Sequence, residues 1–194
     1  TGGAVASAFH NVPGTRVVIL YPKGKVSGLQ EKQLTALGGN ITALEIEGSF
    51  DDCQALVKKA FLDRELSERM NLTSANSINL SRLVPQSFYY IHSARKIEAG
   101  VKPVFVIPSG NFGNLTAGLL ARQLGLPVEK FVAATNRNDG VPRYLAKGQY
   151  EPWPSMSTIS NAMDVGAPSK FVRMTALFGN SGEQIKECIS GVSF

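Results

Sequence analysis

The chain has 194 residues, of which 43% are hydrophobic and 18% are charged, and its formal net charge is +5. This composition allows a sizeable buried core and excludes an intrinsically disordered polymer. Two cysteines are too few for a disulfide scaffold. The sequence has no apolar run of about 18 residues, which argues against a membrane span. Its basic residues are scattered among carboxylates, which argues against a nucleic-acid-binding protein. We therefore expect a cytoplasmic protein with no nucleic-acid partner and no membrane partner. His10 and His92 have no metal-ligand spacing, so no bound metal is expected.

Short apolar segments alternate with segments of helical periodicity, which is typical of parallel strands joined by helical crossovers. In chain order, the sequence predicts a strand at 16–21, a helix at 29–37, a strand at 41–45, a helix at 52–62, a strand end near 72–74, a helix at 86–99, a strand at 104–107, a helix at 115–124, a strand at 131–135 and a helix at 169–177. The predicted fold is α/β, with a mainly parallel sheet and helices on both faces. No domain boundary is evident inside residues 1–194.

Two details concern the ends of predicted helices. Asp51 or Asp52 is predicted to be the N-cap of helix 52–62, because a carboxylate there can accept from free N–H groups of the first turn. Gly38 and Gly39 are predicted to end the preceding helix, since glycine readily adopts the left-handed conformation common after a helix.

The most informative segment joins strand 104–107 to helix 115–124 and contains Gly110, Asn111, Phe112, Gly113 and Asn114. A glycine-rich turn that leads into a helix directs backbone N–H groups and the positive end of the helix dipole at one point, where phosphate can bind. Both asparagines add side-chain donors, and the phenylalanine is expected to pack beneath the anion. The spacing matches neither the dinucleotide-binding motif nor the Walker motif. From the residues alone, a phosphate site and a plain turn with glycines at positive φ both remain open.

Several motifs closely resemble those of threonine synthases and occur in the order found in that family. The glycine-rich segment reads Pro-Ser-Gly-Asn-Phe-Gly-Asn-Leu-Thr-Ala-Gly at residues 108–118. The other matching segments are residues 20–26, 37–41, 50–57, 74–79, 133–136 with 139, and 160–165. The resemblance covers nearly the whole chain. It implies a pyridoxal-phosphate-dependent lyase of the tryptophan synthase β-like fold (fold type II), which acts in amino-acid biosynthesis and converts O-phospho-L-homoserine and water into L-threonine and phosphate.

The resemblance also implies two sets of ligand contacts. The phosphate of pyridoxal 5'-phosphate is expected at the loop from Gly110 to Asn114. Asn76, Ser77 and Arg82 are expected to bind the phosphate of the substrate, for which an arginine fork is well suited, and Thr1 is expected to bind its carboxylate. The alternative to these substrate-binding roles is that Asn76 and Ser77 cap a helix while Arg82 forms a surface salt bridge.

One departure from the family concerns catalysis. Threonine synthases form a Schiff base through a lysine upstream of anything in this sequence, so no catalytic residue is assigned. The chain is therefore expected to be an internal fragment that is inactive alone and that can self-associate through its cut edges.

Three questions stay open from the sequence. The family match leaves room for another fold type II lyase, such as a threonine dehydratase or a phospholyase, although the pattern from Asn76 to Arg82 favours a phosphorylated amino acid. The chain could instead be a non-catalytic, anion-binding fragment. The roles of the block 161–164 and of Lys23 and Lys25 are also undetermined, with solvated surface residues the favoured interpretation for the lysines.

Overall fold

The computed structural model divides into two compact units, Thr1–Asn76 and Ser77–Phe194. It describes residues 2–76 and 79–194. Both units combine parallel strands with helices, as the alternation of apolar and helical segments predicts.

The first unit is built on a pair of parallel strands, β1 (Val17–Pro22) and β2 (Ile41–Ile46), with Val17 opposite Ile41. Ala6, Tyr21, Leu34, Ile41 and Cys53 form its buried apolar side chains. The helices are α1 (Gly2–Phe9), α2 (Gly28–Thr35), α3 (Phe50–Leu62) and α4 (Arg64–Arg69).

The helix ends in this unit differ from the prediction. The N-cap of α3 is Ser49, so the prediction of Asp51 or Asp52 was wrong. Asp52 is the third helical residue, and its Oδ2 accepts from the backbone N–H and the hydroxyl of Ser49, both at 2.7 Å. These hydrogen bonds lower the pKa of Asp52. Helix α2 ends at Thr35, before the two glycines.

Gly38 and Gly39, both at φ +62°, form the turn that leads into β2. The strand end predicted near 72–74 is also wrong, because residues 71–75 are irregular in the structure.

The second unit contains a parallel sheet in the order β3-β4-β5, formed by Val104–Pro108, Lys130–Thr135 and Ile189–Ser193. Phe131 on the middle strand is opposite Phe105 on one side and Ile189 on the other. The helices are α5 (Leu83–Ala94), α6 (Gly113–Gln123), α7 (Gly140–Lys147), α8 (Phe171–Leu177) and α9 (Gly182–Cys188). Short 3-10 helices span Leu80–Arg82 and Asn161–Met163.

The core of this unit lies where α5 and α6 pack against the sheet. The ring of Tyr90 contacts those of Phe105 and Phe131 edge-on, at centroid distances of 5.0 and 5.8 Å. A Cβ added to Gly118 would lie 2.7 Å from both Phe131 Cε1 and Tyr90 Cζ. Glycine at this position therefore lets α6 approach the aromatic side chains closely, which fixes the position of the helix that follows the glycine-rich loop.

Candidate functional site

The glycine-rich loop lies at the carboxyl end of β3, between Pro108 and the first residue of α6. Its first residue, Ser109, is 2% exposed. The backbone N–H of Ser109 donates to the Ala134 carbonyl on β4 at 2.8 Å, and its hydroxyl donates to the Ile107 carbonyl at 2.9 Å. The loop is thus tied to the edge of a parallel sheet at which ligands commonly bind.

The two glycines of the loop are not explained by backbone conformation, because neither has a positive φ. The residue at positive φ is Phe112, at +61°, and its side chain is only 3% exposed. The ring belongs to the apolar core of the second unit. Burial of this ring holds the turn in place, and the interpretation of the loop as a turn with glycines at positive φ is wrong.

The contacts that a Cβ would make distinguish the roles of Gly110 and Gly113. A Cβ at Gly110 would lie 2.7 Å from Met163 Cα and 2.9 Å from the Met163 carbonyl oxygen, so the backbone of the 161–163 helix excludes any side chain. A Cβ at Gly113 would meet Gln86 Oε1 at 3.9 Å and nothing nearer. Neither φ nor packing within the described residues requires glycine at 113. The open space beside it is suited to a ligand that approaches the backbone closely.

The N-terminus of α6 provides donors at this opening. Thr116 N–H donates to the Phe112 carbonyl at 2.9 Å, and the helix has no side-chain N-cap. In the described part of the chain, the N–H groups of Gly113, Asn114 and Leu115 have no acceptor. Three unpaired donors at the positive end of a helix dipole favour an anion with several oxygens, such as phosphate.

Both asparagines of the loop use their side-chain oxygens to hold the structure. Asn111 Oδ1 accepts from the backbone N–H of Ser169 at 2.6 Å and from the Ser169 hydroxyl at 3.0 Å. Asn114 Oδ1 accepts from the Tyr90 hydroxyl at 2.7 Å, and burial raises the pKa of this tyrosine. These bonds set the orientation of both amides, and in Asn114 the side-chain nitrogen is left to donate to a ligand.

A second group of polar residues explains the block 161–164. Asp164 accepts from the Thr158 N–H at 2.9 Å, the Thr158 hydroxyl at 2.7 Å, Asn136 Nδ2 at 2.8 Å and Asn138 Nδ2 at 3.2 Å. The carboxylate therefore joins the loop after β4 to the segment that carries Met163. Because Met163 lies against Gly110, Asp164 acts structurally by holding the wall of the loop in place.

A basic cluster lies in the same unit. Lys170 directly precedes α8 and is 1% exposed, and among the described residues its Nζ has no hydrogen-bond partner. Burial, together with the positive charges of Arg173 and Arg82, lowers the pKa of Lys170 to about 8. Sequence reasoning missed this lysine, since nothing in its local pattern distinguishes a buried lysine from a surface one.

The other predicted site residues are distributed as follows. Arg82 ends the 3-10 helix Leu80–Arg82, and among the described residues it has no carboxylate partner, so the surface salt bridge is not supported. The side chain of Asn79 caps that helix by accepting from the Ser81 N–H. The N–H of Asn76 instead donates to Ser74 Oγ at 3.2 Å in the first unit. Thr1 and Ser77 lie outside the described residues.

Of the two lysines on the first unit, Lys23 and Lys25, the structure explains the first. Lys23 Nζ lies 2.5 Å from Glu47 Oε1 in an exposed ion pair. Such a pair is typical of a solvated surface.

A family model described as pyridoxal-phosphate dependent enzyme matches residues 1–189. The chain belongs to this family. The predicted α/β fold and the cofactor class are confirmed, because the matching family is pyridoxal-phosphate dependent and both units combine parallel strands with helices. The loop is also compatible with the phosphate group of this cofactor, because there is open space at Gly113 and the N-terminus of α6 supplies donors beside it.

Similar members of the pyridoxal-phosphate-dependent family are threonine synthases. The threonine synthase of Serratia marcescens is 54% identical over 189 residues, which cover 96% of this chain and 44% of that protein. The crystal structure of threonine synthase from Escherichia coli superposes with a TM-score of 0.91 at 52% identity, over 100% of this chain and 46% of that one. The pyridoxal-phosphate-bound threonine synthase from Brucella melitensis gives 0.81 at 35% identity, over 99% and 47% of the two chains. This chain thus spans less than half the length of these relatives.

Proposed function

We propose that the complete gene product containing this chain is a threonine synthase, which uses pyridoxal 5'-phosphate to convert O-phospho-L-homoserine and water into L-threonine and inorganic phosphate. The observation that carries the proposal is the opening beside Gly113, where, among the residues that the structure describes, three N–H groups have no acceptor and no contact requires glycine. The identity of 54% to a threonine synthase supports the choice of reaction.

The loop from Gly110 to Asn114 would hold the phosphate of the cofactor. Gly113 gives access to the backbone, the N-terminus of α6 supplies donors, and Asn114 adds an amide. Phe112 anchors the turn in the core, while Asn111 fastens it to Ser169. When bound, the cofactor supplies an electron sink for charge that develops on the substrate, and the protein supplies position and electrostatics.

The phosphate of the substrate would be bound by Arg82 with Asn76 and Ser77, and the substrate carboxylate by Thr1. The support from the structure concerns Arg82, which has no carboxylate partner among the described residues. A guanidinium without an internal partner is available for a bidentate contact with phosphate. Fixing the phosphate in this way orients the bond that must break before chemistry begins.

We also propose a cytoplasmic location. Cys53 and Cys188 are both free thiols. Unpaired buried cysteines are typical of a reducing compartment.

The reaction is tested with the complete gene product supplied with pyridoxal 5'-phosphate and O-phospho-L-homoserine. We expect L-threonine and inorganic phosphate in equal amounts. Phosphate accompanied by 2-oxobutanoate would instead identify a lyase that eliminates without adding water at the β-carbon, and no phosphate release would reject a phosphorylated substrate.

The role of Arg82 is tested with Arg82→Ala, with Arg95→Ala as the matched control. Arg95 is the exposed C-cap residue of α5 and lies at the opposite end of the same helix. Loss of a charge-assisted contact of about 1.5–3 kcal/mol lowers kcat/KM by about 10- to 150-fold. Equal kinetic constants for both variants would remove Arg82 from the substrate site.

A further inference from the structure

Lys170 has a feature that the proposed function does not use. Its side chain is 1% exposed, and its ammonium nitrogen has no hydrogen-bond partner within the described part of the chain. A buried cation is normally paired, because removing an ammonium from water without compensation is strongly unfavourable. A buried lysine without a carboxylate or carbonyl partner among residues 2–76 and 79–194 therefore points to a bound acceptor.

The position of Lys170 links it to the glycine-rich loop. The preceding residue, Ser169, donates through both its backbone N–H and its hydroxyl to Asn111 Oδ1, at 2.6 and 3.0 Å. Two hydrogen bonds to one oxygen fix this stretch of backbone against the loop. Lys170 thus extends from a segment whose position is set by the candidate phosphate site.

Arg82, the N-cap residue of α5, lies near the same region. Gln86 lies one helical turn after Arg82, and its Oε1 is 3.9 Å from where a Gly113 Cβ would be. Residues four apart share a helix face, so Arg82 lies on the side of the helix that faces the loop. Arg82 is also close enough to affect Lys170 electrostatically.

Two of the charges near Lys170 are positive. Arg173, one turn along α8, and Arg82 both disfavour its protonated form. The pKa of about 8 nevertheless leaves the ammonium mostly protonated at pH 7. A buried ammonium with an arginine nearby and no hydrogen-bond partner among the described residues is stabilised by a multiply charged anion.

We propose that Lys170 is an anion-binding residue which, with Arg82, takes a phosphate monoester or free phosphate beside the Gly110–Asn114 loop. The choice of ligand rests on the proposed function, in which the phosphate belongs either to the cofactor or to the phosphorylated substrate and its product. An ammonium on a flexible stem can follow a phosphate that is released, whereas the backbone N–H groups of α6 are fixed.

The test uses the complete gene product and calorimetric titration with two probes. Inorganic phosphate is added to the cofactor-loaded protein and reports the substrate side. Pyridoxamine phosphate is added to the cofactor-free protein and reports the cofactor side. The variants are Lys170→Met, which keeps the length of the side chain without its charge, Lys170→Arg, which restores the charge, and Lys102→Met, which removes an exposed lysine as the control.

We expect Lys170→Met to weaken binding of one probe at least tenfold, Lys170→Arg to recover part of the loss, and Lys102→Met to stay within twofold of the wild type. The probe that is affected identifies which phosphate Lys170 contacts. Equal affinity of Lys170→Met and wild type for both probes would overturn the proposal.

A second readout keeps the proposal falsifiable if Lys170→Met does not fold. In wild-type protein with isotope-labelled lysines, a bound phosphate should raise the pKa of Lys170 by at least one unit, and an unchanged pKa at saturation would overturn the proposal. Phosphate binding that depends on Lys170 in a protein that makes no threonine would reject the proposed function and keep this site. Threonine formation, with binding of both probes that does not depend on Lys170, would support the proposed function and reject this site.

Discussion

The stability of the ligand-free protein should depend on pH through Lys170. Burial and two neighbouring arginines lower its pKa from 10.5 to about 8 in the folded state. This difference corresponds to about 3 kcal/mol of unfavourable free energy for burying the protonated side chain. Lys170→Met removes that cost and keeps an apolar side chain of similar length in a site that is 1% exposed.

The sign of the effect follows from which state holds the proton. Below pH 8 both the folded and the unfolded chain bind it, so the wild type carries the whole cost. Between about pH 8 and 10.5 the unfolded chain retains the proton while the folded chain has lost it, so the free energy of unfolding rises with pH. Above that window both states are neutral and the cost is gone.

Urea denaturation at a series of pH values, in buffer without phosphate, measures this difference between wild type and variant. Lys170→Met should be more stable by about 3 kcal/mol at pH 7, and the advantage should shrink steadily between pH 8 and 10.5. An advantage that does not change with pH, or a variant less stable than the wild type at pH 7, would show that Lys170 is not buried as a cation.

Three further changes test the loop and its supports. Gly110→Ala should cost about 1–3 kcal/mol in urea denaturation because its Cβ would lie 2.7 Å from Met163 Cα, whereas Gly113→Ala should stay within about 0.5 kcal/mol and lose only phosphate affinity; equal stability losses would refute the spatial argument. Asp164→Asn replaces an acceptor oxygen by a donor among four donors and should lower stability by about 2–3 kcal/mol, and an unchanged thermal midpoint would contradict the structural role. Tyr90→Phe removes the hydroxyl that donates to Asn114 Oδ1 and to the Asn114 carbonyl, and it should lower the free energy of unfolding in urea by about 1–2 kcal/mol; an unchanged free energy would show that the hydroxyl does not stabilise the loop.

Much of the strand framework was predictable from local sequence. Four of the five strands in the described residues begin and end within one residue of prediction, because short apolar runs such as Val104–Pro108 are bounded by turn residues. The strand Ile189–Ser193 was missed, since it contains glycine and two serines. Its Gly191 is explained only by packing, because a Cβ there would lie 2.7 Å from Pro142 Cα.

The glycine-rich loop was found from sequence, but the reason for its glycines was not. Gly110 is required by contact with Met163, which is 53 positions further along the chain, and Gly113 faces open space. Neither fact has a local signature. Helices α1, α4, α7 and α9 were also missed, and each is only six to eight residues long, which is shorter than the window in which helical periodicity is evident.

Lys170 shows most clearly what sequence patterns leave out. It occurs after Pro168 and Ser169, where a lysine is ordinarily solvated. Its burial arises from the packing of α8 and from the hydrogen bonds between Ser169 and Asn111, which join residues 58 positions apart. Long-range contacts of this kind determine which basic residues can bind a ligand.

In the proposed function, the loop from Gly110 to Asn114 binds the phosphate of the cofactor. The most direct measurement is calorimetric titration of the cofactor-free gene product with pyridoxamine phosphate, and with pyridoxamine as the phosphate-free control, for wild type and Gly113→Asp. We expect saturable binding of pyridoxamine phosphate in the millimolar range or tighter, about −4 kcal/mol or better, at least 100-fold weaker binding of pyridoxamine, and loss of binding in the variant. Equal binding of both compounds, or full affinity in Gly113→Asp, would contradict the assignment of this loop.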